Sequence, residues 1–225
     1  RIQLLNGFGD DFKLEFNSQV AGKIYASFLL NISDSIGTGV NPNDVFSGLG
    51  SGTGFANARI IRRNGSIPGT NYNLGLCKSS TLVLGWSGDL LFNATYLVVV
   101  CYEFISGGTS NDIVKLWVNP DLSGNEPSPI ISGVTSTADN NIIDGFWIRQ
   151  NSGTPNAYID GLRIGTSWSD SPLPVELSSF SASTIGSTVK LIWRTEAEVN
   201  NYGFDVERSE TQDERGETWK KIGFV

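Results

Sequence analysis

The sequence predicts an all-β fold. Short runs of apolar, β-branched and aromatic residues recur along the chain, and Gly, Ser, Asn and Pro separate them at intervals typical of β-sandwiches. No amphipathic helix pattern of useful length interrupts them. The clearest element is a hairpin, in which residues 97–105 are apolar, 106–112 form a Gly-rich turn and 113–118 resume the apolar pattern. An almost unbroken apolar run predicts that 97–105 is a central strand covered on both faces.

A sandwich of about nine strands is predicted for the first 170 residues. Each run either alternates apolar and polar residues or is continuously apolar, and each ends at a turn signal. Segments 33–54 and 121–141 are rich in Ser, Gly, Asn or Pro and are predicted to be loops. The predicted strands are 12–16, 22–32, 58–63, 72–78, 81–86, 97–105, 113–118, 142–150 and 157–164.

A second, shorter domain is predicted after the Pro-containing linker at 169–174. The domain boundaries are therefore placed at 1–170 and 174–225. Four strands in about 50 residues are roughly half of an immunoglobulin-like sandwich. The predicted strands of this domain are 175–183, 188–194, 202–209 and 218–225.

The half-sandwich leaves two explanations open. Either the natural chain continues beyond Val225, or a neighbouring chain covers the exposed apolar face by adding a strand. In the second case the protein is a homo-oligomer or a polymer. The predicted assembly face consists of Leu191, Trp193, Phe204 and Val206.

Charge and composition exclude several classes of function. The net charge of −7 disfavours nucleic acid and anionic membranes as partners, and the densest basic spot in the first 170 residues is the dipeptide Arg62-Arg63. No run reaches the roughly 18 apolar residues of a membrane helix, so membrane insertion is not expected. The absence of His excludes a Ser-His-Asp triad. Two Cys without His also fall short of a structural zinc site, so no metal ligands are assigned.

The two cysteines, Cys77 and Cys101, each lie in an apolar strand pattern, and the two strands are expected to be neighbours. Buried free thiols that act as small apolar residues would explain this placement. An extracellular setting favours a cross-strand disulfide instead. Cys77 and Cys101 are therefore a candidate disulfide, with the free thiols as the alternative.

Two long stretches resemble known families. Residues 96–120, followed by EPSP and by 147–168, resemble a module of secreted bacterial proteins, most strongly at LWVNP and YIDGLRIGTSW. That module adopts the concanavalin-A-like (laminin-G-like) jelly-roll sandwich. Residues 173–209 are similar to the fibronectin-type-III-like segment common near the C-termini of proteins exported by the type IX secretion route. The resemblance implies a jelly roll, a partial fibronectin-like sandwich, and a secreted, extracellular or bacterial cell-surface location.

Enzyme activity is not expected from the acidic residues. A retaining glycosidase needs two carboxylates about 5 Å apart, and on such sandwiches alternate positions of one strand supply them. No such run occurs in residues 1–168. Glu103 stands alone in its strand, while Asp144 and Asp160 adjoin Gly at turn-like positions.

Sugar binding requires exposed aromatic rings with polar neighbours. Trp117 and Trp147 lie in strand patterns and are predicted to be core residues. Trp86 and Tyr72 border loops and are the candidate ligand-binding residues.

No cofactor is expected, with structural calcium as the one candidate. Loop residues supply hard oxygen ligands, but no repeated Asp-x-Asp-Gly loop is found, which favours turn-forming roles. The oxygen-bearing residues are Asn41, Asn43 and Asp44, and separately Asp112 and Asp121.

These observations together predict a non-catalytic extracellular or cell-surface protein with a structural or adhesive role. Head-to-tail strand addition would propagate it as a filament or a surface layer, because such a contact does not close. The alternative is a carbohydrate-binding module of a larger secreted protein, with an extracellular polysaccharide as its partner.

Overall fold

The computed structural model describes residues 2–7, 9–33, 45–52, 54–79, 82–122, 124–150, 154–169, 176–186, 188–197, 203–213 and 216–225. These ranges contain seventeen strands and no helix, so the predicted all-β class is confirmed. It follows that no helix in the described ranges is long and apolar enough to cross a membrane. The chain divides into two compact units, Arg1–Pro174 and Val175–Val225, here called unit 1 and unit 2.

Unit 1 is a sandwich of two antiparallel sheets. Its strands are β1 (Ile2–Leu4), β2 (Phe12–Gln19), β3 (Lys23–Ile32), β4 (Val45–Ser51), β5 (Gly54–Asn64), β6 (Asn71–Cys77), β7 (Val83–Trp86), β8 (Leu90–Leu91), β9 (Thr95–Glu103), β10 (Ile113–Val118), β11 (Ile131–Gly133), β12 (Ile143–Ile148) and β13 (Ala157–Gly165). The six-stranded sheet has the order β1-β13-β3-β9-β10-β11, and the seven-stranded sheet has the order β2-β12-β4-β5-β6-β7, with β8 paired to β6. Strands from distant parts of the chain are therefore neighbours in both sheets.

One hydrophobic core fills the space between the sheets. Phe28 on β3 and Phe146 on β12 meet across this space with ring centroids 5.4 Å apart. Both side chains are fully buried, as are Leu30 and Ile60, which alternate with polar or outward-facing neighbours on their strands. Inward-facing residues at every second position thus give each sheet one core face.

Strand β9 is covered on both faces, as its continuous apolar run predicts. Val98 and Val100 belong to the core between the sheets. Val99 and Cys101 belong to a separate cluster on the opposite side, where they pack with Trp117. Residues on both faces of β9 are therefore shielded from water, which explains why the strand shows no alternation.

The segment after β10 covers this second side of the six-stranded sheet. The indole nitrogen of Trp117 donates a hydrogen bond to the carbonyl of Pro127 at 2.9 Å. Glu126 forms ion pairs with Lys23 at 2.6 Å and with Lys115 at 3.0 Å. The predicted loop 121–141 is therefore fastened to the sheet, and it also contains the short strand β11.

Strand β4 lies within the segment predicted to be a loop, so that part of the prediction is wrong. Its glycines weaken the strand pattern, but Gly48 has a packing reason. A Cβ atom at Gly48 would lie 3.0 Å from the carbonyl oxygen of Ala58 and 3.1 Å from the Cα of Arg59. The close approach of β5 thus requires a glycine there, and single-sequence propensity cannot detect that requirement.

Unit 2 consists of two antiparallel hairpins. The first pairs β14 (Glu176–Ile185) with β15 (Thr188–Ala197), and the second pairs β16 (Asp205–Asp213) with β17 (Gly216–Phe224). Backbone hydrogen bonds between Phe204 and Val225, at 2.7 and 3.0 Å, extend the second hairpin beyond β17.

The residues predicted to form an assembly face contact one another within unit 2. The rings of Trp193 and Phe204 meet with centroids 5.6 Å apart, which joins the two hairpins. Each of the four residues is only partly exposed. Leu191, Trp193, Phe204 and Val206 line one cleft together with Phe180, Asp205 and Glu207. The four residues therefore lie together within unit 2, and the prediction that another chain covers them stays a prediction.

Candidate functional site

One face of the seven-stranded sheet combines aromatic rings with cationic side chains. Ile60 on β5 and Phe146 on β12 are fully buried in the core between the sheets. Because side chains alternate along a strand, the residues beside them point to the opposite side, which we call the outer face. Its described members include Lys13, Arg59, Arg63, Trp86, Trp147 and Arg149.

Trp86 lies over a glycine of the neighbouring strand. The register pairs Trp86 with Gly75 on β6, and a Cβ atom at Gly75 would be 2.8 Å from the indole ring. Only a residue without a Cβ atom leaves room for the ring at this position. The guanidinium carbon of Arg63 lies 4.3 Å from the centroid of the same ring, within the range of a cation–π interaction. Gly75, Trp86 and Arg63 are called the Trp86 stack below.

A chain of hydrogen bonds holds Arg63 in this position. Its Nε donates to Oδ1 of Asn73 at 3.0 Å, and Nδ2 of Asn73 donates to Oδ1 of Asp89 at 2.9 Å. Asp89 also accepts from Nδ2 of Asn71 at 3.0 Å and from the backbone nitrogen of Ser66 at 3.1 Å. The side-chain hydrogen bond from Ser66 is the largest cause that lowers the pKa of Asp89. The carboxylate therefore stays ionised and anchors Asn73.

The opposite end of the outer face is built around Trp147. Nζ of Lys13 lies 4.8 Å from the centroid of the Trp147 ring. The same ammonium is 2.8 Å from Oε1 of Glu15 and 3.8 Å from Oδ1 of Asp144. The hydrogen bond from Lys13 lowers the pKa of Glu15, which keeps that carboxylate ionised. Lys13 is therefore balanced by acidic groups of its own surroundings.

The middle of the face carries two arginines close to each other. Arg59 is half-buried on β5, and the exposed Arg149 directly follows β12. Burial is the largest cause that lowers the pKa of Arg59, and the positive charge of Arg149 acts in the same direction. This region thus brings two guanidinium groups within electrostatic range.

The structure separates the two predicted sugar-binding residues. Trp86 is half-exposed on the outer face, as described above. Tyr72 is fully buried and packs on Phe92 with ring centroids 5.2 Å apart, so its prediction as a ligand-binding residue is wrong. Tyr72 occupies an inward position of β6, whereas Asn71 and Asn73 on either side of it belong to the hydrogen-bond chain of the Trp86 stack.

The predicted disulfide is also wrong, because Cys77 and Cys101 are both free and buried. Cys77 lies on β6 of the seven-stranded sheet and Cys101 on β9 of the six-stranded sheet. Each belongs to a cluster outside the central core, so the core between the sheets separates the thiols. Burial raises the pKa of Cys77 to about 11, which keeps this thiol protonated and unreactive.

Two carboxylates approach each other on the six-stranded sheet, but not as a catalytic pair. Nζ of Lys115 lies between them, 2.7 Å from Glu103 and 3.0 Å from Glu126. Burial alone would raise the pKa of Glu126, but hydrogen bonds led by that of Lys23 lower it to about 2. A glycosidase needs one carboxyl group with a raised pKa as its general acid. This cluster instead fastens the segment after β10 to the sheet.

The calcium candidates divide into two groups. Asn41, Asn43 and Asp44 lie outside the described residues. In the other group, the carboxylate of Asp112 accepts hydrogen bonds from the Tyr102 hydroxyl and the Ile105 backbone nitrogen, both at 2.6 Å. Asp112 therefore has the turn-forming role that the sequence favoured. Across the described ranges, no group of three or more His, Cys, Asp or Glu side chains is arranged to hold a metal ion.

Fold and outer face together define an all-β sandwich protein with a cationic, aromatic sheet face. No family model matches the chain, and no curated protein matches it by sequence. Solved structures that match include the alginate lyase Aly36B, with 11% identity, a TM-score of 0.45, and coverage of 72% of this chain and 78% of the lyase. A double mutant of that lyase in complex with an alginate tetrasaccharide also matches, with 12% identity, the same TM-score of 0.45 and the same coverage of 72% and 78%.

The matched structures differ in function from the structural or adhesive role that the sequence predicted. The matched protein is an alginate lyase, and its double mutant is in complex with an alginate tetrasaccharide. The predicted structural or adhesive, self-assembling role is therefore wrong, and the carbohydrate-binding alternative is the one retained. A similarity of this size transfers no chemistry from the lyase to this chain, so the argument for a site rests on the outer face itself.

Proposed function

We propose that unit 1 is a carbohydrate-binding domain and that the saccharide lies on the outer face of the seven-stranded sheet. The observation that carries this proposal is the Trp86 stack. It presents an exposed guanidinium on an aromatic ring, and polar side chains of β6 lie beside it. A guanidinium that is held on an indole ring and keeps donors available supplies directed hydrogen bonds of the kind that orient a ligand in a saccharide site.

The length of the face supports a polymer rather than a single sugar. Trp147 on β12 and Trp86 on β7 are separated by β4, β5 and β6 in the sheet order. Four strand spacings of about 4.8 Å give a separation of about 19 Å, which accommodates several pyranose rings. Lys13, Arg59 and Arg149 lie along or beside this path and supply further donors.

The charge of the whole chain supports saccharide over nucleic acid. Nucleic-acid binding depends on neutralising many closely spaced phosphates, which a net charge of −7 disfavours, whereas a saccharide segment can be bound by a local patch of donors. The proposal includes the extracellular or bacterial cell-surface location and the concanavalin-A-like and fibronectin-like assignments that the sequence resemblance implies. The proposed activity is binding, and the experiment below also shows whether the bound polymer is cleaved.

Affinity electrophoresis of the full 225-residue chain in gels that contain polysaccharides tests the proposal. We expect slower migration in at least one gel of a panel of neutral and acidic polysaccharides, and loss of that effect in Arg63→Ala. The matched control is Arg163→Ala, which removes a partly exposed arginine from β13 of the other sheet and should migrate as wild type does. Unchanged migration across the panel would contradict the proposal, as would equal retardation of all variants. If new chain ends appear in the retained polymer, the protein cleaves the polysaccharide as well as binding it.

A further inference from the structure

We infer that the ligand of the outer face is an anionic polysaccharide, whose carboxylate or sulfate groups are recognised by Arg63. This inference rests on the proposed function and names the ligand class and the recognising residue. It follows from the local excess of cations, from the geometry of the Arg63 side chain, and from the hydrogen-bond chain that orients it.

The described outer face is cationic although the chain is acidic. Its acidic side chains are Glu15 and Asp144, which lie at the Trp147 end within ion-pair distance of Lys13, and Asp89, which holds Asn73 beside Arg63. Four cationic side chains, Lys13, Arg59, Arg63 and Arg149, outnumber these three acids on the described face. Burial is the main cause that lowers the pKa of Arg59, and the positive charge of the nearby Arg149 acts in the same direction; a bound anion would interact favourably with both guanidinium groups. The charge pattern therefore favours a ligand with repeated negative charges.

Arg63 presents its terminal nitrogens in the geometry that an oxyanion requires. Nε is directed to Asn73, and the guanidinium carbon lies 4.3 Å from the centroid of the Trp86 ring. Within the part of the chain that the structure describes, no hydrogen bond reaches the two Nη groups of this exposed side chain. A planar fork with two available donors pairs bidentately with a carboxylate or sulfate.

Asn73 is the positioning residue of this site. It lies between Arg63 and Asp89, accepting from the first and donating to the second. The carboxylate of Asp89 also accepts hydrogen bonds from Asn71 and Ser66, which fix its position. Arg63 is consequently oriented before any ligand binds, which reduces the entropy that binding must overcome.

The test measures the affinity of the full chain for matched polymers by biolayer interferometry. Sodium polygalacturonate carries carboxylates, and its carboxyl-reduced form has the same backbone without charge. Dextran sulfate and dextran form the corresponding pair for sulfate. We expect binding to one or both anionic polymers at least tenfold tighter than to the matched neutral polymer, with affinity falling as salt is added.

Three variants assign the recognition to the proposed residues. Arg63→Ala should lose about tenfold to hundredfold in affinity for the anionic polymer. Arg63→Lys, which keeps the charge but not the planar fork, should lose less. Asn73→Ala should reduce the ratio between the anionic and neutral affinities, a readout that a purely structural role would not change. Arg163→Ala is again the control, and the melting temperature of each variant shows whether it is folded.

The outcomes separate this inference from the function on which it rests. Equal affinity for anionic and neutral polymers would overturn the inference and leave carbohydrate binding intact. Anionic selectivity that survives in a folded Arg63→Ala would also overturn it, because recognition would then lie elsewhere. Failure to bind any of the polymers would overturn both proposals.

Discussion

Replacing Gly75 by alanine tests whether Trp86 must lie on the backbone of β6. The added Cβ would be 2.8 Å and 2.9 Å from two atoms of the Trp86 ring and 2.9 Å from a side-chain carbon of Ile61. Favourable carbon contacts lie at about 3.5–4.0 Å, so each neighbour would have to retreat by about 0.6 Å or more. Ile61 is fully buried and belongs to the same cluster as Trp86. The strain must therefore be taken up mainly by the indole.

Overpacking of this kind costs about 1–3 kcal/mol. For a domain of this size each kcal/mol lowers the melting temperature by about 2–4 °C, so Gly75→Ala should lower it by about 2–12 °C. Differential scanning calorimetry measures the shift, and the transition of unit 1 is the one with the larger enthalpy because enthalpy scales with chain length. The displaced ring would also move its cation–π partner Arg63, so binding to the anionic polymer should weaken.

The matched control is Gly124→Ala. An added Cβ at Gly124 meets no atom within 4 Å, and its φ lies outside the left-handed region. That variant should be neutral or slightly stabilising, by up to about 1 kcal/mol. A Gly75→Ala protein with the wild-type melting temperature and wild-type affinity would refute the argument that the glycine creates the site.

Three further predictions concern unit 1. Lys78 is fully buried and paired with Asp139, so Lys78→Met should destabilise the protein by about 3–5 kcal/mol in urea denaturation; a loss below 1 kcal/mol would contradict a buried ion pair. The pKa of Glu126 is lowered from 4.5 to about 2, so its stabilisation is present above pH 4.5 and is lost as the pH falls towards 2. The stability difference between wild type and Glu126→Gln should therefore shrink over that window, and a constant difference would argue against the ion pairs. Finally, the buried thiols of Cys77 and Cys101 should react with a thiol reagent only after unfolding, and both should be titrated then without a reductant; thiols that appear only after a reductant is added would instead indicate a disulfide.

The fold class could be predicted because it depends on local patterns. Alternation and turn signals placed most strands, and the apolar run at β9 correctly indicated a strand covered on both faces. Strand β4 was not predicted because its glycine content resembles that of a loop. The glycine at position 48 is required by the close approach of β5, a contact between segments that single-sequence patterns do not encode. The same limit explains the disulfide, since Cys77 and Cys101 were expected on neighbouring strands but lie in different sheets.

The candidate site was only partly predictable for a related reason. The sequence identified Trp86 and marked Arg62-Arg63 as the densest basic spot, but strand alternation gives the two arginines opposite environments. Arg62 is 2% exposed and lies 5.6 Å from the centroid of the Phe92 ring, while Arg63 is exposed over Trp86. An inward assignment for Arg62 would also have placed Tyr72 inside, because both belong to the core side of adjacent strands. Bringing Lys13, Arg149 and Trp147 to the same face required the strand order, which the sequence does not supply.

Chemical-shift mapping by NMR tests the central claim that the saccharide lies on the outer face of the seven-stranded sheet. The ligand is an oligogalacturonide, titrated into isotope-labelled wild-type protein. We expect shifts of the Trp86 indole N–H signal and of the Arg63 Nε–H signal. The indole N–H of Trp117, which donates to Pro127 at 2.9 Å on the six-stranded sheet, should stay in place. Shifts confined to Trp117 and its neighbours, or to unit 2, would contradict the account.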